Sequence, residues 1–171
     1  MAQSDSAAGA DGGVAEESQQ GRFAIQQIYV KDLSFESPHA PMVFREQWKP
    51  DVQMQLDTSA SKLEDDLYEV VLTITVTAKA ADKTAFLIET QQAGIFQISN
   101  FSEEEMGPIL GSTCPGVLYP YAREAISTTS VRGGFPPLLL AAANFDALYQ
   151  LKLRQVLEQR QAENGSEQGS E

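Results

Sequence analysis

Cysteine and histidine are nearly missing from this chain, which has one of each, Cys114 and His39. A single thiol cannot close an internal disulfide, which fits a reducing compartment, and a cytoplasmic location is expected. His39 lies in a proline-rich stretch with no second histidine or cysteine at ligand spacing. Neither a zinc centre nor a histidine-activated nucleophile is therefore expected. Phosphate-binding glycine motifs and the G-x-S-x-G elbow are also missing, so no catalytic residue, cofactor or metal is expected. Long apolar runs are absent as well. The longest, 136–143, is far short of the ~20 residues that span a bilayer, and no membrane insertion is expected. The first residues have neither a basic start nor an apolar segment, so no signal peptide is expected. Basic charge is scarce: 12 Lys and Arg stand against 24 Asp and Glu, a net charge of −12. Such a surface repels phosphate backbones, which argues against a nucleic-acid partner and in favour of a basic one.

The acidic excess is unevenly placed. Asp5, Asp11, Glu16, Glu17, Glu163, Glu167 and Glu171 sit in two terminal stretches without a base, so these seven leave five of the twelve net negative charges for the body. Both stretches are rich in Gly, Ser and Gln and cannot form a core. The expected organisation is a disordered tail over 1–21, one domain over 22–160 and a second disordered tail over 161–171.

The first half of the body reads as strands. In Glu69 to Ala78, Val70, Leu72, Ile74, Val76 and Ala78 share one parity, while Val71, Thr73, Thr75 and Thr77 share the other. Lys62 to Asp66 before it is turn-like, and Ala81-Asp82-Lys83 after it suits a hairpin. A further strand over Thr84 to Ile98 follows, with Gly94 as a candidate bulge. Val52, Met54 and Leu56 mark another strand. The first strand, Phe23 to Phe35, changes phase twice: Phe23 and Ile25 share a parity, Ile28 and Val30 the other, and Leu33 and Phe35 return to the first. Two slips in a period-two structure imply bulges or bends. Between the first two strands, residues 37–50 carry three prolines together with Met42, Val43, Phe44 and Trp48. That is a long connection that crosses other strands and packs on the body or borders a binding surface.

The second half reads as helices. Ser102 and Glu105 form a capping-box pair, Pro108 perturbs the helix they start, and Pro115-Gly116 is expected to end it. A second helix carries Leu118, Tyr121, Ala122, Ala125, Ile126 and Thr129 on one stripe and stops at Gly133-Gly134. Asn144 caps a last helix whose apolar residues spread over more than one face, so it should lie across another surface and detach more easily than the body. Strands followed by helices give an α+β fold: a four-stranded antiparallel sheet with a long crossover connection, followed by helices packed on it. Two proline-stiffened apolar connections point to an exposed groove lined by Phe44, Trp48 and Phe135, with Leu138 and Leu140 as weaker members.

Several stretches, in order, resemble the SecB protein-export chaperone family. They are Ile28-Tyr29-Val30-Lys31-Asp32-Leu33-Ser34-Phe35-Glu36, Asp65-Asp66-Leu67-Tyr68-Glu69-Val70-Val71-Leu72, Thr84-Ala85-Phe86-Leu87, Gly94-Ile95-Phe96, Leu118-Tyr119-Pro120-Tyr121-Ala122-Arg123-Glu124 and Asn144-Phe145-Asp146-Ala147-Leu148. The acidic stretch before Phe23 resembles the family least. The resemblance implies an ATP-independent chaperone, not an enzyme, that binds unfolded precursor proteins, keeps them translocation-competent and delivers them to the SecA ATPase. It implies a homotetramer built as a dimer of dimers. It implies that SecA contacts Asp32, Glu36, Leu87 and Glu89, and that the face with Ile88, Thr90 and Gln92 meets the other dimer. The even spacing within each of the first two pairs lets both lie on one face of a regular strand. Two other readings stay open from the residues alone: a small-ligand enzyme on the same scaffold, and an adaptor for one folded partner.

Overall fold

The structure, a computed structural model, describes residues 20–167. Four long strands, β1 (Arg22–Glu36), β2 (Asp51–Glu64), β3 (Leu67–Ala80) and β4 (Lys83–Ser99), form one antiparallel sheet in the order β1-β4-β3-β2. Sequence neighbours β1 and β2 thus lie at opposite edges, and the connection 37–50 must cross the end of the sheet, as the prolines required. A short 3-10 turn, Met42–Arg45, sits within it and buries Val43. The tight turns take backbones with positive φ at Asp66, Ala81 and Asp82, which lets the twisted strands continue without splaying.

Parity decides the core. Val70, Leu72, Ile74, Val76 and Ala78 of β3 are fully buried, and so are Ile88 and Phe96 of β4, because the helices cover this side. The two phase changes read in β1 are register shifts against β4, one between Ile25 and Gln27 and one between Val30 and Asp32. Gly94 behaves differently from the bulge expected there. It pairs in register with both Ile28 and Val70. A Cβ at Gly94 would lie 2.8 Å from the Phe96 ring and 3.0 Å from Leu118 Cδ2, so the glycine serves the close approach of α2 to the sheet. The polar segment from Lys62 also continues β2 to Glu64, since an edge strand needs no apolar alternation to pair.

The helical half is more continuous than the prolines implied. Ser102 caps α1 (Glu103–Pro108) with the full capping box, its hydroxyl accepting from the Glu105 amide and the Glu105 carboxylate accepting from the Ser102 amide. A π-helical segment, Ile109–Thr113, then leads directly into α2 (Cys114–Arg132). Pro115 stands in the first turn of α2 directly after the π-segment, whose wider turn accommodates a residue without an N–H, so the helical path continues through it instead of ending there. The wider π-turn takes up the irregularity next to Pro108. On α2, Leu118, Ala122, Ala125 and Ile126 face the sheet as the stripe required. Tyr121 is exposed, and Tyr119 is buried in its stead with its hydroxyl donating to the Ala141 carbonyl. The helix closes with a Schellman motif: Phe135 N–H donates to Ser130 O, Gly134 N–H to Val131 O, and Gly134 has φ +88°.

The last helix, α3 (Phe145–Glu167), is capped by the Asn144 side chain 3.0 Å from the Ala147 amide. It runs past residue 160, where the sequence placed the start of a tail. The expected disorder at 1–19 and 168–171 lies outside the described residues. Among the described residues no helix is long and apolar enough to cross a membrane.

Candidate functional site

The register places the residues of interest. Asp32 pairs with Gln91, Ser34 with Glu89 and Glu36 with Leu87, so Asp32, Glu36, Leu87 and Glu89 all project from the face of the sheet away from the helices. Parity alone could only link them in pairs; the pairing of β1 with β4 brings the four together. Around them this open face is a carpet of Thr73, Thr75, Thr77, Gln53, Gln55 and Gln91. The Thr75 hydroxyl donates to Glu89 at 3.2 Å. Neighbouring carboxylates on a flat polar surface repel phosphate and attract a basic partner.

The opposite parity of β4 holds Ile88, Thr90 and Gln92, which the sequence reading turned towards another subunit. All three are buried within the chain itself, beneath its own α2. Within a single chain these side chains face its own core.

The two apolar connections do meet. Phe135 is the hub of an aromatic cluster, with ring centroids 4.9 Å from Phe86, 5.0 Å from Phe44, 5.3 Å from Trp48 and 6.4 Å from Phe35. Of the residues expected to line a groove, Phe135 and Leu140 are buried, Trp48 and Leu138 are half-buried, and Phe44 is 50% exposed. The cluster therefore closes on itself and leaves mainly Phe44 at the surface. Cys114 is buried too; burial pushes its thiol up to about 12, which makes it a packed group and not a nucleophile. His39 Nδ1 lies 3.0 Å from the Thr84 carbonyl oxygen and ties the crossing connection to β4.

An apolar cleft lies elsewhere, between α3 and the β2 edge. It holds about 500 Å³ and is lined by Leu56 and Ala60 of β2, Leu110 of the π-segment, and Leu148, Tyr149 and Leu151 of α3. Tyr149 docks α3 here: a Cβ at Gly107 would collide with its hydroxyl, and one at Gly111 would lie 2.5 Å from its ring. Ser112 donates to Asp146 at 2.5 Å, and Lys152 reaches Asp57 at 3.2 Å. Beyond this anchor Leu151, Leu153, Val156 and Leu157 remain exposed. The sequence held one signal for this cleft, namely a final helix with more apolar faces than a single surface can cover.

A family model described as preprotein translocase subunit SecB matches residues 16–156. The chain belongs to the SecB family. A protein-export protein SecB of Methylococcus capsulatus is 52% identical over 150 residues, covering 86% of this chain and 97% of the relative. The counterpart of Marinobacter nauticus is 49% identical over 168 residues, covering 98% and 99%. That of Hahella chejuensis is 55% identical over 135 residues, covering 79% and 85%. Among solved structures, a SecB-like chaperone of Mycobacterium tuberculosis in complex with a ChAD peptide from an antitoxin has a TM-score of 0.60 at 18% identity, covering 71% of this chain and 91% of that one. The likeness to that structure is one of fold: the four-stranded antiparallel sheet with helices is the SecB-like arrangement.

Proposed function

We propose that this SecB-family chain acts in the cytoplasm as an ATP-independent, non-enzymatic holder of unfolded precursor proteins and passes them to the SecA ATPase. The observation that carries the reading is the cleft beside β2. An unfolded chain presents apolar side chains and unpaired backbone groups together. The cleft offers exposed leucines, and β2, an edge strand among the described residues, offers the backbone groups of its outer edge. Side-chain burial then supplies affinity at about 25 cal/mol per Å² without reading a sequence. Phe44 and the margin of Trp48 extend the apolar surface, with Phe135 packed against both; Leu138 and Leu140 lie apart from them, beside Pro120 and Ser127 of α2. The peptide held by the mycobacterial SecB-like chaperone favours the same use of the fold.

The second surface is the acidic open face. Asp32, Glu36, Leu87 and Glu89 would receive a basic segment of SecA, with affinity that falls as salt rises. The third is the β1 edge. Ile25, Val30 and Leu33 lie on its helix-side face and are 46%, 50% and 42% exposed beside unpaired backbone groups. An apolar stripe on a free edge is a liability that a second copy removes, which favours assembly into the homotetramer. Several clefts on one particle then raise the effective concentration for one client.

The test is aggregation suppression. With several unrelated unfolded proteins, the chain should suppress aggregation at near-stoichiometric ratios with or without ATP, and Leu148→Glu with Leu151→Glu should abolish this. Suppression limited to one partner would point to an adaptor instead. No suppression at all, with a stoichiometric small ligand bound, would point to the enzyme reading.

A further inference from the structure

We infer that Gln92 and the Tyr29–Lys31–Glu69 cluster are positioning residues: they pin the extra residue of β1 at Lys31 and so turn Asp32 onto the open face. This rests on the proposed docking role of that face and names what builds it. In a strand of period two, Tyr29 and Asp32 are three apart and would point to opposite sides. They share a side because the register shifts between Val30 and Asp32 and one residue drops out of the pairing. Phe35 fixes the phase further along, with its ring packed on Phe86 at 6.2 Å and on Phe135 at 6.4 Å. The extra residue must therefore be absorbed somewhere between Tyr29 and Phe35. Absorbed after Asp32, it would leave that carboxylate on the helix side and send Leu33 outward. Only its place, not its existence, decides where Asp32 points.

Two contacts hold that place, one from each side of the sheet. On the helix side, the buried Gln92 amide donates to the Tyr29 carbonyl at 2.9 Å, one residue before the shifted pair. An apolar side chain would fill this core position at lower cost, for Gln92 Oε1 has no hydrogen-bond partner among the described residues. The bond to Tyr29 is what the amide contributes. On the open side, the Tyr29 hydroxyl donates to Glu69 Oε1, and Lys31 Nζ lies 2.9 Å from both Glu69 oxygens. These side chains span from β1 to β3 across β4, passing over the small Ala93, which is fully buried. The extra residue is thus itself tied to the third strand.

The experiment is a double-mutant cycle read by SecA affinity in the full chain. In the native background Asp32→Asn should weaken SecA binding about fivefold, as loss of one complementary charge does. Gln92→Met should weaken it by a similar factor, and Asp32→Asn should then cost less than about twofold more, because the carboxylate no longer faces the partner. Amide exchange at Val30 to Leu33 should quicken in Gln92→Met while suppression of client aggregation is kept. A merely structural role would lower both functions and leave the two substitutions additive. Glu69→Gln, on the open side and away from the core, gives the same test should Gln92→Met fold poorly. Additive losses with unchanged exchange in both variants would overturn the inference. If Asp32→Asn costs nothing in the native background, the docking reading fails, and the exchange data still judge the lock.

Discussion

The two faces of this sheet are made from alternate residues of the same strands, yet they have opposite contents. On β3 and β4 the helix side is Val70, Leu72, Ile74, Val76, Ile88 and Phe96, all buried. The open side is mainly polar, with Glu69, Thr73, Thr75, Thr77, Glu89 and Gln91 beside Leu87, and turns apolar only around Val71, Ala93 and Ile95; Thr75 and Glu89 are joined by a hydrogen bond. The buried core and the acidic surface are therefore separated by a single step along the chain. The helix side carries the hydrophobic free energy of folding. The open side, relieved of that duty, can hold acidic groups at nearly no cost to the fold, since water still solvates them.

Substitutions on the two faces should differ sharply in effect. Phe86→Ala should have the largest effect: the ring is buried in the aromatic cluster, and its removal should cost about 3–5 kcal/mol in chemical denaturation. Tyr149→Ala should follow at about 2 kcal/mol, below the range for a fully buried aromatic ring. Its effect should be local, with exchange rising along α3 and the sheet amides unchanged, because the ring fills the notch made by Gly107 and Gly111. Glu69→Gln comes next and should show mainly in acid. Hydrogen bonds from Tyr29 and Lys31 hold the Glu69 carboxyl below its ordinary range. Its stabilising contribution is complete above the unfolded-state carboxyl pKa and is lost as pH falls through the lowered folded value. The variant should thus flatten the acid limb of a stability–pH profile, and it should also shift the alkaline limb, because the Glu69 carboxylate pushes the Tyr29 hydroxyl up to about 12. Thr77→Ala, on the open side opposite Leu87, should change stability by less than about 0.5 kcal/mol. A loss there as large as that of Phe86→Ala would erase the distinction between the faces.

Much of this was legible in the sequence where one residue type has one physical use. The alternation in β3, the capping box at Ser102 and Glu105, the stop at Gly133-Gly134 and the cap at Asn144 depend on local chemistry alone. Even the two register shifts of β1 showed as changes of parity. What was illegible depends on partners remote in sequence. Pro115 looks like a terminator until it is found in the first turn of α2. Gly94 looks like a bulge until Leu118 is seen above it. The burial of Phe135 was not legible either, because a connection rich in proline gives no hint that it folds against Phe86 and Trp48. The cleft beside β2 needs α3 docked through Tyr149, a placement that no periodicity encodes.

Client capture and partner docking are proposed to occupy separate surfaces, the α3–β2 cleft and the open face. The direct measurement is binding of one unfolded client and of SecA to two variants, Leu148→Glu with Leu151→Glu and Asp32→Lys with Glu89→Lys. The first variant should lose the client and keep SecA, and the second should do the reverse. Loss of both ligands in both variants, with the fold intact, would contradict it.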